Sequence, residues 1–302
     1  MSNPYLSKLG PGIGGALPGL PRRKSLRGEA MFSSPGQYSW PVPTGVTRIS
    51  MVTVGGGGGG VTGHSFQAGG GGGGALAWVN NIVVSEGNIV TIDVGNGGTY
   101  QQSDVEAGSG GDTVITINSV IVCQAGGGEK CGNVDSVSAA GGTVDVGTGG
   151  AGGVGGVFLD GVADSAAGGG GAGGYSGAGG VGASSTGTEN GGAAPSGGGG
   201  AGGGHTATIG SAGGGVEIFG EGASGLSVSA ISASATKHGS GLPHAFTTRV
   251  DFTIGAMAPR GAGGGAGTSG TTNIASQTGG HGAARIVWGL NRNFPSTDVG
   301  QS

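Results

Sequence analysis

Gly149-Gly150-Ala151-Gly152-Gly153-Val154-Gly155-Gly156-Val157 places a larger residue at every third position. The same spacing returns in Gly173-Gly174-Tyr175-Ser176-Gly177-Ala178-Gly179-Gly180-Val181. A period of three is neither the 3.6 of an α-helix nor the 2 of a strand. It is the period of the polyproline-II conformation, which rises about 3.1 Å per residue. Each nine-residue run is therefore expected to be a straight rod of roughly 28 Å. Ala151, Val154 and Val157 would line one edge of the first rod, and Tyr175, Ala178 and Val181 one edge of the second.

A single rod of this kind has no internal hydrogen bonds, and glycine loses more backbone freedom on ordering than any other residue. Rods packed side by side escape the difficulty. Edges without side chains let backbones approach and exchange N–H···O=C bonds, which also satisfies buried amides. The competing reading is a disordered linker, since 83 glycines and 11 prolines approach a third of 302 residues and such compositions are usually low-complexity. Disorder normally comes with high charge. Here only 9% of residues are charged and 34% are hydrophobic, so an ordered bundle is expected.

Aromatic residues are few, at 5% of the chain. Cohesion must lean on aliphatic burial and on backbone hydrogen bonds worth about 1 kcal/mol each. The net charge of −4 conceals an asymmetry. Lys8, Arg22, Arg23, Lys24 and Arg27 face Glu29 alone in the first 31 residues, giving +4, and the remainder carries 7 basic and 15 acidic residues, giving −8. A basic arm suits nucleic acid or an acidic partner protein. It lacks interleaved aromatics, so an anchoring tail is the preferred reading and no specific nucleic acid is expected. No apolar run follows Met1-Ser2-Asn3-Pro4, so a signal peptide is not expected. No stretch of 18 apolar residues occurs, so membrane insertion is not expected either. Cys123 and Cys131 admit two readings, a short-loop disulfide or two buried thiols.

The expected fold class is mostly β with a polyproline/polyglycine-II helix bundle: a small discontinuous antiparallel β-sandwich, a glycine-rich body, and essentially no α-helix. Residues 1–31, broken by Pro11, Pro18 and Pro21, form an extended basic arm. Residues 32–125 plus 284–290 form the β-domain. Phe32 to Trp40 reads as a Pro35-Gly36 turn between aromatic half-strands. Val46–Val54, Ile89–Val94 and a hairpin turning at Asn118-Ser119 follow as strands, with Asn80-Asn81 as a further turn. The late strand Ala284-Arg285-Ile286-Val287-Trp288 is expected beside Ile49–Val54. Residues 126–283 are the glycine-rich body, with a β-hairpin insertion at 226–260, and 291–302 are a C-terminal tail.

Phe32-Ser33-Ser34-Pro35-Gly36-Gln37-Tyr38-Ser39-Trp40 leading to Val54 and six glycines, Gly74-Ala75-Leu76-Ala77-Trp78-Val79-Asn80-Asn81, and Gly213-Gly214-Gly215-Val216-Glu217-Ile218-Phe219-Gly220 resemble the glycine-rich domain of tailed-phage virion proteins. The ending Gly282-Ala283-Ala284-Arg285-Ile286-Val287-Trp288-Gly289 is the most specific piece. More loosely, the chain is similar to tip adhesins of T-even-type long tail fibres, whose body is a sandwich of polyglycine-II helices. The resemblance implies a virion protein, a tail fibre or tail-tip adhesin, that recognises a host cell-surface protein or glycan through loops between glycine runs. The chain departs from the tip adhesins at the front, where it has a basic Gly/Pro arm rather than a fibre-docking domain; from its charge, that arm, with Arg22, Arg23, Lys24 and Arg27, is expected to anchor the chain to other virion proteins. Oligomerisation is compatible with this picture.

No chemistry-bearing motif accompanies the glycines. No Gly-Lys-Ser/Thr completes a phosphate loop and no Gly-x-Ser-x-Gly elbow occurs. His64, His205, His238, His244 and His281 are scattered without metal-ligand spacing. No enzyme activity, metal or cofactor is expected. Loops on a rigid scaffold carry function. The receptor-binding candidates are therefore His64, Phe66 and Gln67; Tyr100, Gln101 and Gln102; and His238, Leu242, His244 and Phe246. Aromatic side chains with polar neighbours suit sugars or protein loops. The plainer role of such aromatics is to cap rods against water, and that is the reading for Phe158, Tyr175 and Phe219. Two other functions remain: a structural virion component without receptor binding, and an ice-binding protein. The latter needs a regular ladder of Thr or Ala on one face, whereas the threonines are irregular.

Overall fold

The computed structural model describes residues 27–61, 69–100, 107–131, 137–157, 167–184, 190–203, 210–227, 261 and 278–295. Ten strands in these residues form two five-stranded antiparallel sheets, and none of the described residues is helical. One sheet runs β1 (Gly28–Phe32), β10 (Ala283–Trp288), β3 (Arg48–Val54), β4 (Leu76–Val83), β9 (Thr148–Gly150). The other runs β2 (Gly36–Pro41), β5 (Ile89–Val94), β6 (Thr113–Ile117), β7 (Val120–Ala125), β8 (Val144–Val146). The strand from the end of the chain lies between β1 and β3, with Ile286 opposite Met51.

Alternation builds the sandwich. Val90, Ile92, Ile115 and Cys123 of the second sheet point inward against Ile49, Met51 and Ile286 of the first. β3 is buried on both faces, because Val52 and Val54 meet a second cluster of Tyr175, Val216, Ile218 and Phe294. The first sheet is thus covered on both sides, and the second on one. The β6–β7 turn uses Asn118 and Ser119 at φ 49° and 65°, the doubly left-handed turn that matches strand twist.

The chain does turn at Ser33–Gly36, as a corner that passes from one sheet to the other. The second expected turn is something else. Asn80-Asn81 lies within β4, where Asn81 at φ 58° sits beside a register shift opposite Ser50. A β-bulge absorbs the extra residue and the strand continues.

Beyond the sandwich the chain becomes straight rods, and their hydrogen bonds carry the period-three signature directly. In rod 167–174, Gly168, Gly171 and Gly174 donate to Ala183, Gly180 and Gly177. Gly169 and Ala172 donate to Ser211 and Gly214, and Gly170 and Gly173 to Gly71 and Gly74. Successive amides point to three different neighbours in turn, which a helix with three residues per turn requires. Rods run both parallel and antiparallel: Gly170 and Gly173 reach Gly71 and Gly74, whereas Gly55 and Gly58 reach Ala75 and Gly72. Glycine permits the spacing. A Cβ on Gly58 would lie 1.9 Å from the carbonyl oxygen of Glu129.

The bundle is larger than the body drawn from composition. Rods 55–61, 69–75, 95–99 and 107–111, assigned to the β-domain on sequence, are bonded into it. Conversely, β1 takes in residues 28–31 of the expected arm, and β8 and β9 arise inside the glycine-rich stretch. The 173–181 run is not one rod. The chain reverses at Tyr175–Gly177, closed by Gly174 N–H donating to Gly177 O at 2.8 Å. The fully buried Tyr175 ring explains the reversal. It stacks on Phe294, its hydroxyl donates to Glu217 O and accepts from Gly220 N–H, and Trp78 Nε1–H donates to its carbonyl. Tyr175 is a cap, and burial raises its phenol pKa.

Candidate functional site

Hydrogen-bond levels show where the rods end. Val61 bonds Gly69, Gly70 bonds Gly156, Gly156 bonds Gly168, Gly168 bonds Ala183, and Ala183 bonds Gly203. These residues therefore lie at one height, at the end of the bundle remote from the sheets. The described chain leaves the bundle at this end at Val61, Tyr100, Cys131, Val157, Ser184 and Gly203. It re-enters at Gly69, Ala107, Val137, Ala167, Asn190 and Gly210. Six connections therefore spring from one pole. Ser227 donates to Gly191 O, beside the re-entry at Asn190, so the stretch after Ser227 departs near the same end.

Val61, Ala107, Cys131 and Ala139 form a small buried cluster that closes this pole from within. Burial pushes the Cys131 thiol up to about 11. Beside it, Ser109 Oγ donates to Glu129 Oε2 at 3.0 Å and accepts from Lys130 N–H at 3.1 Å. Val157 N–H donates to Ser184 Oγ at 3.1 Å, tying two exits together. The pole is thus a fixed base of backbone and small side chains.

Of the residues expected to bind a receptor, Tyr100 is described and sits half-buried at an exit. Gln101 and Gln102, and His64, Phe66 and Gln67, lie outside the described residues, in the connections 101–106 and 62–68 that start at this pole. His238, Leu242, His244 and Phe246, with the 226–260 insertion beyond Ser227, also lie outside them, as does Phe158. His281 lies elsewhere, near the sheets. Its Nδ1 accepts the Gly97 N–H at 2.8 Å, and burial lowers its pKa. Phe219 is partly exposed under the Arg285 guanidinium, 4.9 Å from its ring centre.

The opposite end holds the chain entry. Gly28 pairs with Trp288 at the end of the sheet far from the rods, and exposed Arg27 donates to Leu290 O at 3.4 Å. Arg22, Arg23 and Lys24 lie outside the described residues. Next to this entry Glu29 accepts from two buried arginines, Arg285 and Arg292. Burial pushes the Glu29 carboxyl upward, but the two guanidiniums outweigh it and hold its pKa below the usual value. Arg285 also donates to Ile218 O at 3.2 Å and Arg292 to Gly28 O at 2.9 Å. This network rivets β1 to the end of the chain and to the bundle.

The two cysteines are not joined. Cys123 lies in the sandwich core, with burial pushing its thiol up to about 12, and Cys131 lies in the pole cluster. Strand pairing carries β7 inward, while the glycine run after it carries Cys131 along a rod.

Sequence reading missed one concavity. The solvent face of the second sheet holds a groove of about 600 Å3 lined by Gln37, Asn88, Ile89, Thr91, Asp93 and Thr116 among others. Apart from Asn88, which precedes β5, these residues come from alternate positions of separate strands and meet only through register, in which Asp93 faces both Gln37 and Val114. The outward alternation was the available signal.

No curated protein matches the chain. A family model described as glycine-rich domain matches residues 33–289. That span takes in the sandwich and the rods alike, and on it the chain belongs to the glycine-rich domain family.

Proposed function

We propose that the protein is a non-enzymatic structural protein of a tailed-phage virion, a tail-fibre or tail-tip adhesin that presents loops to a host cell-surface protein or glycan. The observation that carries the reading is polarity. Chain entry, with the basic arm before it, is at one end, and six connections leave the bundle together at the other. A rod array spends few side chains on its interior and spaces its exits rigidly, which suits loops that must act together. The arm binds other virion proteins through Arg22, Arg23, Lys24 and Arg27. His64, Phe66 and Gln67, with Tyr100, Gln101 and Gln102, supply contact groups from two neighbouring connections. His238, Leu242, His244 and Phe246 supply them from the long insertion.

The test is competition. Purified full-length protein, added in excess, should block adsorption of the particle that carries it, and labelled protein should bind host cells. Deleting residues 1–26 should abolish incorporation into particles but leave cell binding intact. Labelled protein that binds particles but never cells would replace this reading with a purely structural virion component.

A further inference from the structure

Rods 137–143, 150–157, 178–184 and 190–195 form one outer row of the bundle. Gly152 and Gly155 donate to Gly142 and Ala139, Gly179 and Gly182 to Ala151 and Val154, and Gly192 to Val181. Rods 150–157 and 178–184 turn every third side chain outward: Ala151 and Val181 are exposed, and Val154, Val157 and Ala178 half-exposed, while the glycines between them are buried. On the flanking rods Ala140 and Ala193 are exposed. Val137 and Val181 each keep 52% of their surface open. None of the four rods carries a charged residue. Elsewhere the bundle perimeter does, as with exposed Asp112 and Glu129.

We propose that this face docks a second copy of the chain. Three features select that occupant. The ladders repeat every three residues, roughly 9 Å along each rod, so an identical face offers furrows of matching period. A two-fold contact requires such self-complementarity. The bundle itself packs rods in both directions, so neither orientation of a second copy is excluded by rod polarity. Finally, residues 32–302 carry 7 basic and 15 acidic groups. Two copies meeting through this face therefore set no like charges directly against each other, as other approaches would.

The row spans roughly 15 Å across four rods spaced like hydrogen-bonded strands and about 20 Å along them. That makes a patch of roughly 300–400 Å2, within the range where apolar patches tend to be functional. Two such faces bury roughly 600–800 Å2, below a standard interface. The contact is accordingly weak, about micromolar or weaker, and becomes effective where local concentration is high. The inference does not rest on the proposed host-binding role.

Sedimentation equilibrium of the full chain, from about 1 μM to 1 mM, reads it out. The wild type should show a reversible monomer–dimer equilibrium. Val154→Glu/Val181→Glu and Val154→Lys/Val181→Lys should each remain monomeric with an unchanged melting temperature, because both positions face outward. Mixed in equal amounts, the two variants should form a heterodimer. A wild type monomeric throughout overturns the proposal, as does a dimer that survives the glutamates, or charge variants that fail to pair. Freezing-point hysteresis from a monomeric wild type would assign the face to ice instead.

Discussion

Gly58→Ala is the sharpest test of a bundle held by its main chain. The new Cβ would lie 1.9 Å from Glu129 O and 2.5 Å from Glu129 C, against 3.4 Å for ordinary contact. Rods 55–61 and 126–131 would have to part by about 1.5 Å. The bonds that join them are Gly128 N–H to Gly56 O at 2.8 Å and Cys131 N–H to Gly59 O at 3.4 Å. Neither survives such a separation, and Gly72 N–H to Glu129 O at 2.9 Å is disturbed as well. Leaving a buried amide or carbonyl unmatched costs about 1–3 kcal/mol, so two broken bonds cost roughly 3–5 kcal/mol. Alanine offsets about 0.4–1 kcal/mol by restricting the unfolded chain. The net loss is roughly 2–4 kcal/mol, which at about 2–4 °C per kcal/mol lowers the melting temperature by roughly 4–16 °C. Calorimetry of the full chain measures it. The control is Ala151→Val, which adds two methyl groups at an exposed position and should change stability by less than about 0.5 kcal/mol. If Gly58→Ala melts with the wild type, the rods are not held at this spacing and the reasoning fails.

Four further outcomes are expected of the same molecule. Amide exchange should show a three-residue beat on the outer row: Gly152, Gly153, Gly155 and Gly156 donate to backbone carbonyls and should be slow, whereas Ala151 and Val154 do not and should be fast; uniform exchange there would contradict the rod geometry. His281 is neutral when it accepts from Gly97, and burial holds its folded pKa below the ordinary value of 6.5. The unfolded chain therefore binds the proton first, and stability should fall as pH drops below about 6.5. His281→Gln should flatten that part of the melting profile, and a wild-type melting temperature constant from pH 7.5 to 5 would refute the assignment. Glu29→Gln removes the counter-charge of two buried arginines. Breaking a buried pair costs about 3–5 kcal/mol, and the exposure of Glu29, 37%, reduces this to about 1–3 kcal/mol, readable as a lower urea midpoint. Because the Glu29 pKa is depressed, the same stability should drain away in the wild type as pH falls below 4.5; a midpoint unchanged by the substitution would show the network to be dispensable. Cys123 and Cys131, with thiol pKa values near 12 and 11, should resist a thiol-disulfide reagent at pH 8 until the protein unfolds, and rapid native labelling would rule out their burial.

Much of the fold was legible because its signals are local. Alternation in Ile89–Val94 and Thr113–Ile117, and the turn at Asn118-Ser119, depend on neighbours in sequence. So does the outward ladder of Ala151, Val154 and Val157. Failures came where a distant partner decided. Tyr175 fits the period of its run, yet the pocket made by Val216, Ile218 and Phe294 draws the ring inward and reverses the chain. Asn80-Asn81 has turn composition, but pairing with β3 on either side of it, Val79 with Met51 and Ile82 with Ile49, keeps it within a strand. The groove on the second sheet and the buried Arg285–Glu29–Arg292 network join residues up to 263 positions apart, and nothing in either segment advertises the other.

The amino-acid order alone determined that this chain would be strands and three-fold rods with few side chains inside, since glycine spacing and alternation limit the backbone residue by residue. Which rod lies beside which, and in which direction, was decided only in the folded molecule. Polyglycine rods are nearly identical to one another, so their hydrogen bonds carry no address. The addresses come from the sandwich strands at their feet and from the few large residues, Tyr175, Phe294 and Arg285 among them, that fit in one place.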